Sequence, residues 1–422
     1  MCLAVAVGLA VRLAAVLARP HLPAAGDAFE YLGQANLLVD GKGWIEPLVY
    51  ATTGHQVQTA KLPPLYTLTL ALCSLAGFKG FLAHRIWSAV MGTCAVALAA
   101  VAGRDIAGRG AGVLAAFGVA FYPNIWMSDS LGMSETLSPV VVLLVVWAAY
   151  RMWRRPTAGR AAVLGVAIGF AALARDELAL LGVFVLLPLA VGGRGRRWSQ
   201  RARLLGAGAL AVAVVIGPWI AFNTVRFSRP VLISDRFGVA LASANCDESW
   251  HGPAPGYWSM PCAEAAVARV HGGEPAHDAA ALRRALSYVD AHLSGLPTVE
   301  YERLGRTFGF YRPLGQIRLD SFVGGEPLSW AFVGLGMYYC LAALAIPGAW
   351  ALRRRRVPIF PLVAVGADVV VAVLVTYGQT RFRSSLEPVL VLLASVAVSE
   401  LVSRVSRHRA GEEAMPSLEP AR

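Results

Sequence analysis

Apolar stretches of near membrane-spanning length recur from one end of this chain to the other, as in Ala111–Met127, Leu137–Trp153 and Leu386–Val402. A water-soluble core cannot absorb that many. Of the 422 residues 56% are hydrophobic and only 15% charged, so the surplus apolar surface needs a non-aqueous home, and lipid supplies it. The expectation is an all-α polytopic membrane protein.

A formal net charge of +12 would suit a nucleic-acid partner, but the basic residues are mostly arginines gathered between apolar runs. They form five clusters: Arg104/Arg109, Arg151/Arg154/Arg155/Arg160, Arg194/Arg196/Arg197/Arg201/Arg203, Arg353–Arg356 and Arg404/Arg407/Arg409. Loops of that kind mark the cytoplasmic side of membrane proteins, so the clusters read as topology and no nucleic-acid partner is expected.

The clusters also decide which runs cross. Counting both 64–78 and 81–101 as spans would put Arg104/Arg109 outside and invert every later cluster. Pro64–Phe78 begins at a Pro-Pro pair and falls short of the roughly 20 residues a spanning helix needs, so it reads as re-entrant or interfacial. About ten spans then place all five clusters inside: 1–19, 82–102, 111–127, 137–153, 161–174, 178–192, 204–222, 328–350, 358–377 and 385–403. The first of these, with Arg12 in its middle and no small-residue cleavage site, reads as a retained anchor. Pro20–Gly80, Ser128–Glu135, Arg175–Glu177, Asn223–Pro327 and Gly378–Ser384 face outward, and most acids and histidines outside the tail lie there or at their edges.

Four cysteines, Cys2, Cys73, Cys94 and Cys340, lie in apolar sequence and read as small packed residues. Cys246 and Cys262 lie in the one long polar segment, where an oxidising compartment would join them in a disulfide; two free thiols is the other reading. In the first outward loop, Ala28, Leu32, Ala35 and Val39 recur at helical spacing, predicting an amphipathic helix on the membrane surface. Asp27 precedes it as a natural N-cap.

An acid soon after the first span, followed by D-x-x-x-Y and G-x-G, here Asp27, Tyr31, Gly41 and Gly43, resembles the first outer loop of the GT-C glycosyltransferase superfamily. KLPPLYTLTLAL and the segment from Arg85 resemble the next elements of that family, and FYPNIWMSDSLGMSETL resembles its second outer loop, with Glu135 as the acid. LARDELALL resembles its L-x-R-P-E segment with Asp176 in place of proline. GQTRFRSSLEPVLVLLAS resembles its R-Y-R-x-x-x-E-P ending with Phe382 in place of tyrosine, and Phe222 stands where arginine is commoner before the large loop. The resemblance is to polyprenyl-phosphate-sugar-dependent members of the protein O-mannosyltransferase (glycosyltransferase family 39) and aminoarabinose-transferase-like group, of actinobacterial type.

The resemblance implies a GT-C bundle whose catalytic membrane module covers 1–222, with its first outer loop at 20–80. An extracytoplasmic subdomain at 223–327, the last spans at 328–403 and a disordered cytoplasmic tail at 404–422 complete it. It implies an inverting transfer of a sugar from a polyprenyl-phosphate donor to a cell-envelope glycan, lipid or protein, on the outer face of the plasma membrane. Asp27 would be the base and Glu135 a second acid, with Lys61, Arg381 and Arg383 on the donor phosphate. Tyr31, Tyr66, Arg85, Arg175 and Glu177 would contact substrate or support the site, though Arg175 and Glu177 read equally as a mutual pair. The alternative for the two acids is to hold a divalent cation, as acid pairs on these loops do in some branches of the superfamily. The rival readings are a transporter or flippase of lipid-linked sugars, for which charges deep in spans are scarce beyond Arg12 and Asp368, and an inactive scaffold of the same fold.

Overall fold

The computed structural model describes residues 1–193 and 195–413. Arg194 and the tail from 414 onward therefore lie outside the described residues. Everything regular is helical; the one β-feature among the described residues is an isolated bridge between Ile45 and Gln58.

Five helices are long and apolar enough to cross a membrane: Phe81–Ala107, Ser134–Arg154, Trp198–Arg226, Leu328–Arg354 and Glu387–Ser406. The pair Arg109–Phe121 and Pro123–Leu131, bent by 46°, makes a sixth if taken as one broken span. Cys2–Leu17, Ala158–Ala174 and Phe360–Val375 are apolar but shorter, with 16, 17 and 16 residues. Large apolar side chains such as Leu210, Val214, Ile346 and Trp350 are exposed along the long helices, an arrangement that lipid accommodates and water does not. The chain is a multi-pass membrane protein.

Two expected spans are not continuous helices. At the Tyr122–Pro123 step, proline excludes the preceding residue from the helical region and Tyr122 is extended, so 111–127 breaks into two rods. The run 178–192 is a 3₁₀ turn Asp176–Leu180, a π-helical turn Gly182–Leu186 and a short helix Leu187–Val191 with Pro188 at its start. The last helix continues to Glu413, beyond the boundary expected at 403. Pro64–Leu75 has only 12 residues and starts at the proline pair, too short to span.

Small residues let the helices meet closely. A Cβ on Gly165 would lie 2.2 Å from the carbonyl oxygen of Gly208, and one on Gly348 1.9 Å from that of Leu393. In lipid, where apolar burial gives helices little reason to associate, such close packing does the work. The Asp27–Val39 helix is docked rather than laid on a surface: Tyr31 and Ala35 join Leu62, Tyr66 and Leu70 in the core of the bundle, Tyr31 and Tyr66 edge to face at 4.9 Å.

Arginine-bearing turns gather at one end of the bundle. Arg160 bonds the carbonyls of Arg151 and Arg155, Arg355 pairs with Glu400, Trp147 with Asp105, and Tyr150 with the Pro358 carbonyl. The Phe81–Ala107 helix carries Arg104 near that end and Arg85 near the opposite one, where Arg85 bonds the carbonyls of Val16, Arg19 and Ser130. On this second end sits a small helical cap whose core is Leu241, Ala242, Ala266, Ala281 and Ala285, with Cys246 and Cys262 disulfide-bonded beside it.

Candidate active site

Five polar segments, separated by apolar helices in sequence, bring their charges together at the second end. Asp27 is the first residue of its helix and not its cap: Gly26 holds the N-cap position and no side chain caps the helix. The Asp27 carboxylate instead accepts from two guanidiniums, Arg381 Nη1 at 3.0 Å and Arg236 Nη1 at 3.3 Å. Arg381 turns its Nε to Glu135, 2.6 Å away on the 3₁₀ turn Ser134–Thr136. Arg175 reaches the same Glu135 oxygen at 2.7 Å and Glu177 at 2.5 Å.

The result is one chain of alternating charge, Arg236–Asp27–Arg381–Glu135–Arg175–Glu177, with three cations and three anions. Its exposure is graded. The Arg236, Arg381 and Asp27 side chains are 41%, 27% and 20% exposed, whereas Glu135 and Arg175 are 3% and 9%. The reachable end is thus Asp27 with its two arginines, and Glu135 with Arg175 forms the floor. Burial alone would raise the Asp27 carboxyl, but Arg381 and Arg236 outweigh it and hold the group well below the usual carboxylate range. Tyr377 stands near these groups with its ring against Phe382 at 5.1 Å, and the Phe382 ring takes the Arg175 guanidinium at 5.6 Å.

The other expected site residues lie around this chain in different roles. Lys61 is half-buried beyond Arg236 and held by Glu46 at 3.1 Å and Glu30 at 3.4 Å. Tyr66 is buried, its hydroxyl 2.7 Å from Ser88 Oγ, and Arg85 is wholly buried on three carbonyls. Both are supports. Arg383 does not reach the chain: its Nε is 2.5 Å from Glu387, its Nη1 donates to the Thr307 carbonyl at 2.9 Å, and its guanidinium lies over Tyr338. Glu387 also accepts from Tyr122 and Asn124, so this network ties the broken span to the last helix.

Two charges in the apolar helices differ in kind. Arg12 pairs with Asp129 at 2.8 Å, both buried, and a Cβ on Gly92 would strike that carboxylate. Asp368 is fully buried, and neither of its oxygens has a hydrogen-bond partner among the described residues. Arg236 and Glu326 were missed in the sequence because both lie in the long 223–327 segment, where neither periodicity nor a motif singles them out.

The acids suggested for a divalent cation, Asp27 and Glu135, converge on the Arg381 guanidinium. No group of three His, Cys, Asp or Glu side chains is placed to hold a metal among the described residues. The residues do not fit a cation in this arrangement.

Residues 61–222 match the family described as dolichyl-phosphate-mannose-protein mannosyltransferase. Over that segment the chain is similar to a membrane mannosyltransferase family. The fold is supported by the Archaeoglobus fulgidus oligosaccharyltransferase in its apo form, with a TM-score of 0.57 at 13% identity, covering 99% of this chain and 52% of that one. The same archaeal enzyme, AglB, with an inhibitory peptide and a dolichol-phosphate gives 0.55 at 16% identity, again over 99% and 52%. ArnT from Cupriavidus metallidurans bound to undecaprenyl phosphate gives 0.45 at 15% identity, over 99% and 81%. The chain spans about half the length of the oligosaccharyltransferase it matches. No curated protein matches it by sequence.

Within the matched segment lie Lys61, Tyr66, Arg85, Glu135, Arg175 and Glu177. Asp27, Arg236, Arg381 and Arg383 lie outside it, so the ion chain joins the two parts.

Proposed function

We propose that the chain is an inverting glycosyltransferase that moves a sugar from a polyprenyl-phosphate donor to a cell-envelope glycan, lipid or protein on the outer face of the plasma membrane. The observation that carries this reading is a reachable carboxylate, Asp27, bound by two partly exposed guanidiniums at the end of a membrane bundle. A donor that arrives from the lipid brings a phosphate, and Arg381 and Arg236, the two partly exposed cations that hold Asp27, are placed to receive it, with Lys61 nearby.

The pairing has a mechanistic consequence. While both arginines hold it, Asp27 is too weak a base to take a proton from a hydroxyl. A donor phosphate that draws Arg381 and Arg236 away restores that basicity. Asp27 then accepts the acceptor proton as the acceptor oxygen attacks the anomeric carbon and the phosphate departs on the opposite side. Donor binding thereby arms the base, and Glu135, still held by Arg175, keeps Arg381 within reach.

The long apolar chain of such a donor needs a lipid-open path. A groove of roughly 470 Å³ between Phe360–Val375 and the last helix, lined by Phe308, Leu362, Gly366, Val370, Leu386 and Leu390, suits a prenyl chain. The decisive assay incubates purified protein with candidate acceptors and a panel of polyprenyl-phosphate sugars and measures released polyprenyl phosphate together with glycosylated product. Transport of lipid-linked sugar without a covalent product would favour the flippase reading, and neither activity would favour the inactive scaffold.

A further inference from the structure

Most of the carboxylates around the candidate active site are committed. Asp27 and Glu135 each bind two arginines, and Glu177 binds Arg175. Glu387 binds Arg383, Tyr122 and Asn124. Asp320 accepts from Gln316, Gln379 and Thr380. Two are not: Asp368, sealed within the Phe360–Val375 helix, and Glu326, which is half-buried and whose side chain makes no hydrogen bond or ion pair among the described residues.

Its backbone, in contrast, is fixed. The Pro313–Gly324 helix ends in Gly325 at φ 71°, a left-handed conformation that glycine adopts without strain. Arg19 Nη1 bonds the Gly325 carbonyl at 2.9 Å, and Ser321 Oγ bonds that of Glu326 at 2.7 Å. A pinned turn thus delivers a free carboxyl to the place where the Arg381 chain and the Arg383 network approach each other. The charged groups facing it are Asp320 from its own helix, Glu135 from the 3₁₀ turn, and Arg383 and Arg381 from the Thr380–Ser385 turn.

We propose, resting on the glycosyl-transfer reading above, that Glu326 is the proton donor to the departing phosphate. In this step the bond from the anomeric carbon to the phosphate oxygen breaks with its electron pair on oxygen, and that oxygen takes the Glu326 proton. The acceptor oxygen bonds the anomeric carbon and gives its own proton to Asp27. Solvent then reprotonates Glu326 and receives the proton from Asp27, so the cycle leaves the enzyme unchanged.

A carboxyl can serve this way only if it holds its proton near neutral pH. Burial pushes Glu326 up to about 8, with Asp320 and Glu135 adding to it and Arg383 and Arg381 opposing. Asp27 is displaced in the opposite direction, and two acids driven apart by their surroundings are the usual basis of an acid and base assignment.

The test is the pH profile of kcat for wild type and Glu326→Gln. Wild-type kcat should fall above about pH 8 as the carboxyl ionises. The glutamine variant should lose about 100-fold in kcat, keep its donor KM within a few-fold and lose the alkaline fall. A variant with wild-type kcat, or with low kcat but an unaltered alkaline fall, overturns the proposal while leaving glycosyl transfer intact. If the glutamine variant does not fold, Glu326→Asp serves: it should keep an alkaline limb at lower kcat, and unchanged kcat and limb overturn the proposal equally. Should wild type transfer no sugar from any polyprenyl phosphate, the functional reading fails and this proposal falls with it.

Discussion

Arg381 and Arg383 stand two residues apart on one short turn, yet they occupy opposite worlds. Arg381 is 27% exposed and shares itself between Asp27 and Glu135, which come from different segments. Arg383 is 3% exposed and spends itself on Glu387, four residues along the same stretch, on a carbonyl and on an aromatic face. An exposed guanidinium with divided partners can be drawn to a ligand at modest cost, whereas removing a sealed one strands a buried carboxylate. The comparison teaches that charge type alone does not assign a role; solvent access and the number of competing partners do.

The largest effect expected is on Asp27, the carboxylate that Arg381 guards. Asp27→Asn should lower turnover by about 10²–10⁴-fold, the range general-base catalysis supplies, with thermal unfolding little changed because the group is partly exposed. Wild-type turnover in this variant would remove Asp27 from the chemistry and leave the ion chain a structural device.

Arg383→Ala tests the sealed side. It should destabilise the protein by about 3–5 kcal/mol, because Glu387 would be left buried without its cation, and the loss should appear in thermal unfolding before any assay. Replacing Arg383 and Glu387 together with apolar residues should recover much of that. A stable Arg383→Ala enzyme with impaired donor binding would reverse the assignment and return Arg383 to the donor phosphate.

Some of this was legible in the residues and some was not. The recurring apolar runs read directly, as did the short helix after Pro63, because proline and span length act locally. The break at Tyr122 was written in the Tyr-Pro step but lost in a run whose hydropathy carries straight across it. Asp27, Glu135, Arg175, Glu177 and Arg381 could be nominated singly, chiefly through the family resemblance of the polar islands between apolar stretches. Their pairing could not, since partners such as Asp27 and Arg381 are separated by 354 positions. Asp27 looked like a cap because local sequence knows only local amides; the cap site is Gly26, and the side chain answers to distant arginines.

Arg381→Ala belongs next in size. It should raise donor KM by about 10–100-fold, the loss of one charge-assisted phosphate contact, while Arg381→Lys should recover only part because an ammonium cannot serve Asp27 and Glu135 in a fork. Unfolding should shift far less than for Arg383→Ala. Equal destabilisation by the two variants would erase the distinction between the open and the sealed arginine.

The smallest effect expected concerns Lys61, the third cation, which is about as open as Arg381 and likewise held by two acids. Burial pushes Glu30 up to about 7, with Lys61 opposing and Glu46 adding, so the folded loop binds a proton more tightly than the unfolded chain does. The sign follows. Stability from this group is fully present below its ordinary value of 4.5 and is lost as pH rises through about 7. Glu30→Gln should therefore flatten the pH dependence of thermal unfolding between those values and leave Lys61 with Glu46 alone. An unaltered slope would mean that Glu30 stays ionised across the range, with Lys61 fully shared between both acids and correspondingly less available to a donor phosphate than Arg381.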